Sequence, residues 1–144
     1  MALVWGGFEF GQPPEAVLAK LPQCRKAGNS VETELQSFGA EFDIVFEFDQ
    51  YGLSAVRLNL IRCLSTTFRR LVSNVVHQIS LNSGIGERRH KFDNETRKRW
   101  IDGDVIVDML AVDDPNFPVL SIEFSKSKIL DAQLWAYKNR PALE

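Results

Sequence analysis

The spacing of apolar side chains along the chain changes between two periods, which divide it into helices and strands. A period near 3.6 predicts a short helix that begins at Pro13-Pro14 and ends at Pro22. The same period returns after Ser65, which we expect to cap a second helix that stops at Gly84. Elsewhere apolar and polar residues alternate, and this alternation predicts half-buried strands.

The alternating run from Thr33 onward predicts strands that include an antiparallel hairpin ending near Leu60. The apolar residues of its two arms must share one face, and this parity requires a three-residue loop, 50–52, with Gly52 at a left-handed position. The expected cross-strand pairs are Phe46 with Val56, Ile44 with Leu58, and Phe42 with Leu60.

A second hairpin is predicted by residues 96–101 and 104–112, because the Asp102-Gly103 dipeptide between them is typical of a two-residue turn. That turn would set Arg97 opposite Asp108 and Trp100 opposite Val105. A further strand is expected at 119–124, followed by a helix at about 126–138.

The order helix, three strands, helix, three strands, final helix predicts an α+β fold. We expect tandem αβββ units that form an antiparallel meander sheet, with the helices packed on one face. The chain, 1–144, is then a single domain, with unit one at about 8–62 and unit two at about 65–125.

Composition narrows the classes of function. Of 144 residues 44% are hydrophobic, enough for a core, and 17 basic against 19 acidic residues give a net charge of -2. A dedicated nucleic-acid binder normally carries a basic excess, so we expect no nucleic-acid partner. Cys24 and Cys63 stand alone, which argues against a disulfide framework. Without a signal-like or membrane-spanning apolar run, we expect a cytoplasmic protein with no membrane partner.

Candidate catalytic patterns fail on spacing. Asp104, Asp108, Glu123 and Lys126 are similar to the acid-acid-lysine set of metal-dependent nucleases, but Glu123 and Lys126 are three apart and point to opposite faces of a strand. His77 and His90 lack partners at ligand spacing, and the glycines around Ile85 follow a helix instead of opening one. We therefore predict no catalytic residue, no metal and no cofactor.

A basic cluster between Arg88 and Arg99 lies next to Trp100, which is able to stack on a nucleic-acid base. The surrounding acids Asp93, Glu95 and Asp102 favour neutralised ion pairs instead. We expect Trp100 to be a core residue.

Acidic residues alternate with the apolar ones on two of the predicted strands. Glu41, Asp43, Glu47 and Asp49 line one of them, and Asp104 and Asp108 line another. A solvated sheet face explains this pattern, and so does a recognition surface for a basic protein partner. Under the second hypothesis the candidate partner-binding residues are Asp43, Glu47, Asp49, Tyr51, Arg57 and Asp108, with Tyr51 as an aromatic anchor.

The stretch 8–18, Phe-Glu-Phe-Gly-Gln-Pro-Pro-Glu-Ala-Val-Leu, with Leu21-Pro22 after it, resembles the opening of small bacterial proteins with SmpA-like or β-lactamase-inhibitor-like αβββ units. Several immunity proteins that neutralise bacterial toxins are similar. The resemblance implies a stoichiometric inhibitor that occludes the active site of a cognate toxin. We expect a protein that binds such a toxin or effector, is a monomer when free, and is not an enzyme. The lipoprotein members of that group carry a lipobox cysteine, which this opening lacks.

Two alternatives stay open. Homodimeric chaperones of secretion effectors have the same element order and an acidic composition, and the second helix would be their dimer seam. An enzyme without a recognised motif, such as a nuclease, is the third interpretation, and a carboxylate with a strongly shifted pKa in a pocket would favour it.

Overall fold

A computed structural model describes residues 5–84, 86–91 and 94–126. The helices are α1 (Pro14–Lys20) and α2 (Phe68–Ser83), and a 3-10 turn, Ser65–Thr67, leads into α2. The strands are β1 (Arg25–Ala27), β2 (Ser30–Ser37), β3 (Ala40–Asp49), β4 (Gly52–Arg62), β5 (Glu87–Lys91), β6 (Glu95–Asp102), β7 (Val105–Val112) and β8 (Val119–Lys126). The predicted C-terminal helix, from Ser127 onward, lies outside the described residues.

The described strands form one antiparallel sheet in the order β1-β2-β3-β4-β8-β7-β6-β5. Two four-stranded meanders, β1 to β4 and β5 to β8, meet where β4 pairs with β8. Each meander therefore begins at an edge of the sheet and ends at its centre. The α+β class and antiparallel sheet are confirmed, but each described unit has four strands instead of three. The missed strands are the sheet edges β1 and β5. Edge strands are held by hydrogen bonds on one side only, and neither of these two has an apolar alternation.

One face of the sheet carries the core. A continuous row of buried side chains crosses six strands in register: Val31, Phe46, Val56, Phe124, Val107 and Trp100. Helix α2 contributes four buried side chains at the spacing of one helical stripe: Phe68, Leu71, Val75 and Ile79. Phe8 packs edge-on against Phe46 with ring centroids 5.1 Å apart, so the N-terminal segment joins the same core.

The β3–β4 hairpin has the three predicted pairs, but the predicted loop is wrong. Asp49 pairs with Gly52, which leaves a two-residue turn, Gln50-Tyr51. Ser54 bulges out of β4, and its hydroxyl donates a hydrogen bond to the Glu47 carbonyl. One bulged residue restores the parity that the longer loop was meant to supply.

The predicted register of the β6–β7 hairpin is wrong by two residues. Asp102 pairs with Val105, so the turn is Gly103-Asp104 and Gly103 takes the left-handed φ of 58°. Trp100 consequently faces Val107 instead of Val105. A two-residue shift preserves which face each side chain occupies, and Trp100, only 1% exposed, is the core residue expected.

The N-terminal segment is fastened to the tip of the β3–β4 hairpin. The Gly11 N–H donates to the Leu53 carbonyl at 3.0 Å, and the Leu53 N–H donates to the Gln12 carbonyl at 2.8 Å. Gly52 has a φ of 105°, and a Cβ there would lie 2.2 Å from the Gly11 oxygen. This approach of two backbones is possible only with glycine.

Candidate protein-binding face

The side chains that alternate with the buried row form the second face of the sheet, which we call the polar face. Its central row follows the strand pairing from β2 to β6: Glu32, Val45, Arg57, Glu123, Asp108 and Arg99. The sequence predicted this face from β3 and β7 alone. The register shows that charged residues of six strands share it.

Arg57 is the centre of the polar face, on β4 beside the junction of the two units. Its Nε donates a hydrogen bond to Glu123 on β8 and lies 3.0 Å from Oε1 of Glu47 on β3. The hydrogen bond to Glu123 raises the pKa of Arg57 above its ordinary value. The Glu47 Oε1 atom is buried and accepts no hydrogen bond among the described residues, so its contact with Arg57 is an ion pair without good hydrogen-bond geometry.

Two arginines of β6 on the polar face are also held by acids. Arg99 forms a two-pronged pair with Asp108, at 2.7 and 3.0 Å. Arg97 pairs with Glu95 at 2.7 Å, and not with Asp108 as the predicted register implied. Asp108, a predicted contact residue, is therefore already neutralised within the chain.

Carboxylates that form no ion pair with a described residue are concentrated on β2 and β3. Glu34 and Asp43 are exposed and directly opposite each other, and neither forms an ion pair with a described residue. Glu32 precedes Glu34 by two positions on β2 and also forms no ion pair with a described residue, although it lies between Val45 of β3 and Arg25 of β1. We call these three residues the acidic corner. Like charges placed opposite each other are destabilising in a free protein, so a basic partner would relieve the repulsion.

Sequence reasoning missed Glu32 and Glu34. The signal was present, because Val31 and Thr33 are buried and the two glutamates alternate with them. The first predicted strand began at Thr33, so it did not include Glu32. The prediction also did not consider that Glu34 shares a face with Asp43. Only the pairing of β2 with β3 brings them together.

Asp49 and Tyr51 lie at the hairpin tip, away from the acidic corner. Asp49 Oδ1 accepts a hydrogen bond from the Tyr51 N–H at 2.7 Å, so this carboxylate stabilises the turn. The Tyr51 ring is 70% exposed, and Lys126 Nζ lies 6.0 Å from its centre. Six residues of extended strand separate Asp43 from Asp49, about 20 Å. The predicted partner-binding residues therefore do not form one surface. Asp43 lies in one patch, Asp49 and Tyr51 lie in another, and the remaining three lie in the neutralised centre.

Exposed apolar side chains occur at the opposite end of the central strands. Phe117 in the β7–β8 loop is 79% exposed, and Leu64 after β4 is 73% exposed. Val119 at the start of β8 is 42% exposed and pairs with Val112. Large exposed apolar groups beside a charged face are a common feature of protein interfaces.

The nuclease-like acids do not form a metal site in the structure. Asp108 and Glu123 do face each other across β7 and β8, but an arginine holds each of them. Lys126 pairs with Val105 and follows the parity of the opposite face. Among the described residues, no three His, Cys, Asp or Glu side chains meet as metal ligands would. In that same part of the chain, neither α-helix has the length and apolarity needed to cross a membrane.

Comparisons of the chain with protein-family profiles, with curated proteins and with solved structures found no match. The resemblance of residues 8–22 to immunity and inhibitor proteins therefore stays a prediction. The fold and the charges of the polar face are the physical basis for a functional proposal.

Proposed function

We propose that the protein is a stoichiometric inhibitor of the immunity type, which covers a basic functional surface of a cognate protein toxin with its polar face. The observation that supports this most is the uneven pairing of charge. Arg57, Arg97 and Arg99 are neutralised by acids of the same chain, whereas Glu34 and Asp43 of the acidic corner form no ion pair with a described residue. Arg25 lies opposite the third acid, Glu32, but forms no ion pair with it. A lysine- or arginine-rich surface complements this distribution and would be steered toward it.

The second support is the rigidity of the surface. The acidic corner lies on β2 and β3, which pair over eight residues without interruption. Asp43 alternates with Phe42 and Ile44, both fully buried, so the backbone beneath the carboxylates is fixed by the core. Preorganised groups lose little conformational entropy on binding, which favours a tight one-to-one complex.

The third support is the location of the helices, which we take to pack on the core face of the sheet. The Trp100 indole N–H donates to the Ser80 hydroxyl of α2 at 3.2 Å, and Phe8 ahead of α1 contacts Phe46. Trp100 and Phe46 both belong to the buried row. In this arrangement neither described helix covers the polar face.

The chaperone alternative receives less support. It needs an apolar stripe of α2 for a dimer seam, but Phe68, Leu71, Val75 and Ile79 are buried within one chain. The exposed apolar residue of α2 is Leu81, near its end. One side chain is too little for the interface of a stable dimer.

The test is co-expression of the tagged protein with the product of the adjacent gene, followed by mass measurement of the purified complex. A one-to-one complex with a protein that is toxic alone is the expected result. A free homodimer, or a two-to-one complex with the N-terminal segment of a secreted effector, would replace the inhibitor proposal with the chaperone alternative.

A further inference from the structure

A cavity of about 990 Å³ opens on the core side of the sheet, opposite the polar face. It lies between α2, the N-terminal segment, the β2–β3 turn and the β6–β7 turn. Its floor consists of side chains that are at most 7% exposed: Val105, Val107, Phe124 and Ile79. A cavity of this size with an apolar floor is typical of sites for small organic ligands.

The walls of the cavity are aromatic and partly held in place. Trp5 and Phe38 line it from the N-terminal segment and the β2–β3 turn. Phe38 has a φ of 54°, which a bulky residue adopts only when its surroundings hold it there. Its carbonyl accepts a hydrogen bond from the Asn74 amide at 3.1 Å, and its ring packs edge-on against Phe42. The turn is thus anchored to α2 and to the core.

The rim of the cavity is polar and acidic. Asp102 and Asp104 flank Gly103 at the β6–β7 turn, and both are exposed. Neither carboxylate forms an ion pair with a residue that the structure describes. On the facing wall, α2 presents the amides of Gln78 and Asn82. The cavity therefore combines an apolar floor with negative charge at its mouth.

We propose that this cavity binds an amphipathic organic cation, whose aromatic or alkyl body packs against the half-buried rings of Trp5 and Phe38 and whose ammonium group lies between Asp102 and Asp104. Charge complementarity selects the cation, because an anionic ligand of the same shape would meet both carboxylates. The site is separate from the polar face and from the proposed inhibition. Its ligand and a protein partner are able to bind at the same time.

The test uses two dyes with the same dansyl body and opposite charges, dansylcadaverine and dansyl-6-aminohexanoate, titrated into the full chain. Dansylcadaverine is expected to give a saturable, blue-shifted fluorescence increase at one molecule per chain, and the anionic dye to bind at least tenfold more weakly. Asp102→Asn/Asp104→Asn should weaken binding of the cationic dye about fivefold, the effect of two partly exposed ion pairs. Glu15→Gln, an exposed carboxylate on α1 that does not line the cavity, is the control and should leave binding unchanged.

Three results would overturn the proposal. Equal binding of the two dyes would remove the role of the carboxylates, and lack of saturable binding to the full chain would show that no such ligand enters. Displacement of dansylcadaverine by a synthetic peptide of residues 127–144 would assign the cavity to the chain's own C-terminal sequence. Thermal melting of each variant, with an unchanged midpoint, excludes unfolding as the cause of weaker binding.

Discussion

Gly52→Ala should strongly destabilise the protein, because position 52 combines a left-handed backbone with a backbone contact. A φ of 105° costs a residue with a Cβ about 1–3 kcal/mol. The new Cβ would lie 2.2 Å from the oxygen and 2.4 Å from the carbonyl carbon of Gly11, neither of which is a flexible side chain. The N-terminal segment must then move away and lose its two hydrogen bonds to Leu53, at about 0.5–1.5 kcal/mol each. Together these effects predict a loss of about 2–6 kcal/mol in the free energy of unfolding.

Gly39→Ala is the matched control. Gly39 also lies in a hairpin, with a φ of 84°, but no atom lies within 4 Å of a Cβ built there. Its substitution should cost only the conformational part, about 1–3 kcal/mol. Urea unfolding followed by circular dichroism measures both free energies. Equal losses for the two variants would refute the view that the Gly11 contact fastens the N-terminal segment.

Three further predictions concern packing, the central ion pairs and the partly buried thiol. Gly86→Ala would bring a Cβ within 2.6 Å of the Trp100 indole nitrogen and should cost about 1–3 kcal/mol in urea unfolding; no loss would contradict the described packing. Arg57→Leu should lower the free energy of unfolding by less than about 1 kcal/mol, since the arginine side chain is 50% exposed and its pairs are screened; a loss of several kcal/mol would show that the pairs are buried. Burial raises the pKa of the Cys24 thiol, so iodoacetamide should modify it with a midpoint above that of a free cysteine. Because the pKa of Cys24 is higher in the folded than in the unfolded protein, the contribution of this thiol to stability is fully present below the unfolded pKa. That contribution is lost as the pH rises through the folded pKa. An alkylation midpoint below that of a free cysteine would contradict this direction.

Residue periodicity predicted much of the fold because burial acts on every second residue of a strand and on one stripe of a helix. Phe46 and Val56 were paired correctly since both must face the core. Burial does not distinguish registers that differ by two residues, because such a shift leaves every side chain on the same face. For this reason Trp100 was predicted to pair with Val105 instead of Val107. The edge strand β1 was not predicted, because all three of its residues are exposed and show no burial pattern.

The candidate site was less predictable than the fold. Spacing identified Asp43 as an outward acid, but it did not show that Glu34 is its neighbour, because that contact depends on long-range pairing. Spacing also did not show that Arg57 forms ion pairs with acids of both adjacent strands. The cavity involves five segments that are distant in the sequence, and no local pattern joins them.

The measurement that tests the central claim most directly is the affinity of a charge-reversed polar face for the partner obtained by co-expression. Glu34→Lys/Asp43→Lys reverses two charges of the acidic corner, and isothermal titration calorimetry compares it with Glu15→Lys/Asp104→Lys, which makes the same change in net charge away from that face. The account predicts binding at least about tenfold weaker for the first variant, since like charges would then oppose each other, and unchanged binding for the second. Equal affinity of both variants and the unmodified protein would contradict recognition through the acidic corner.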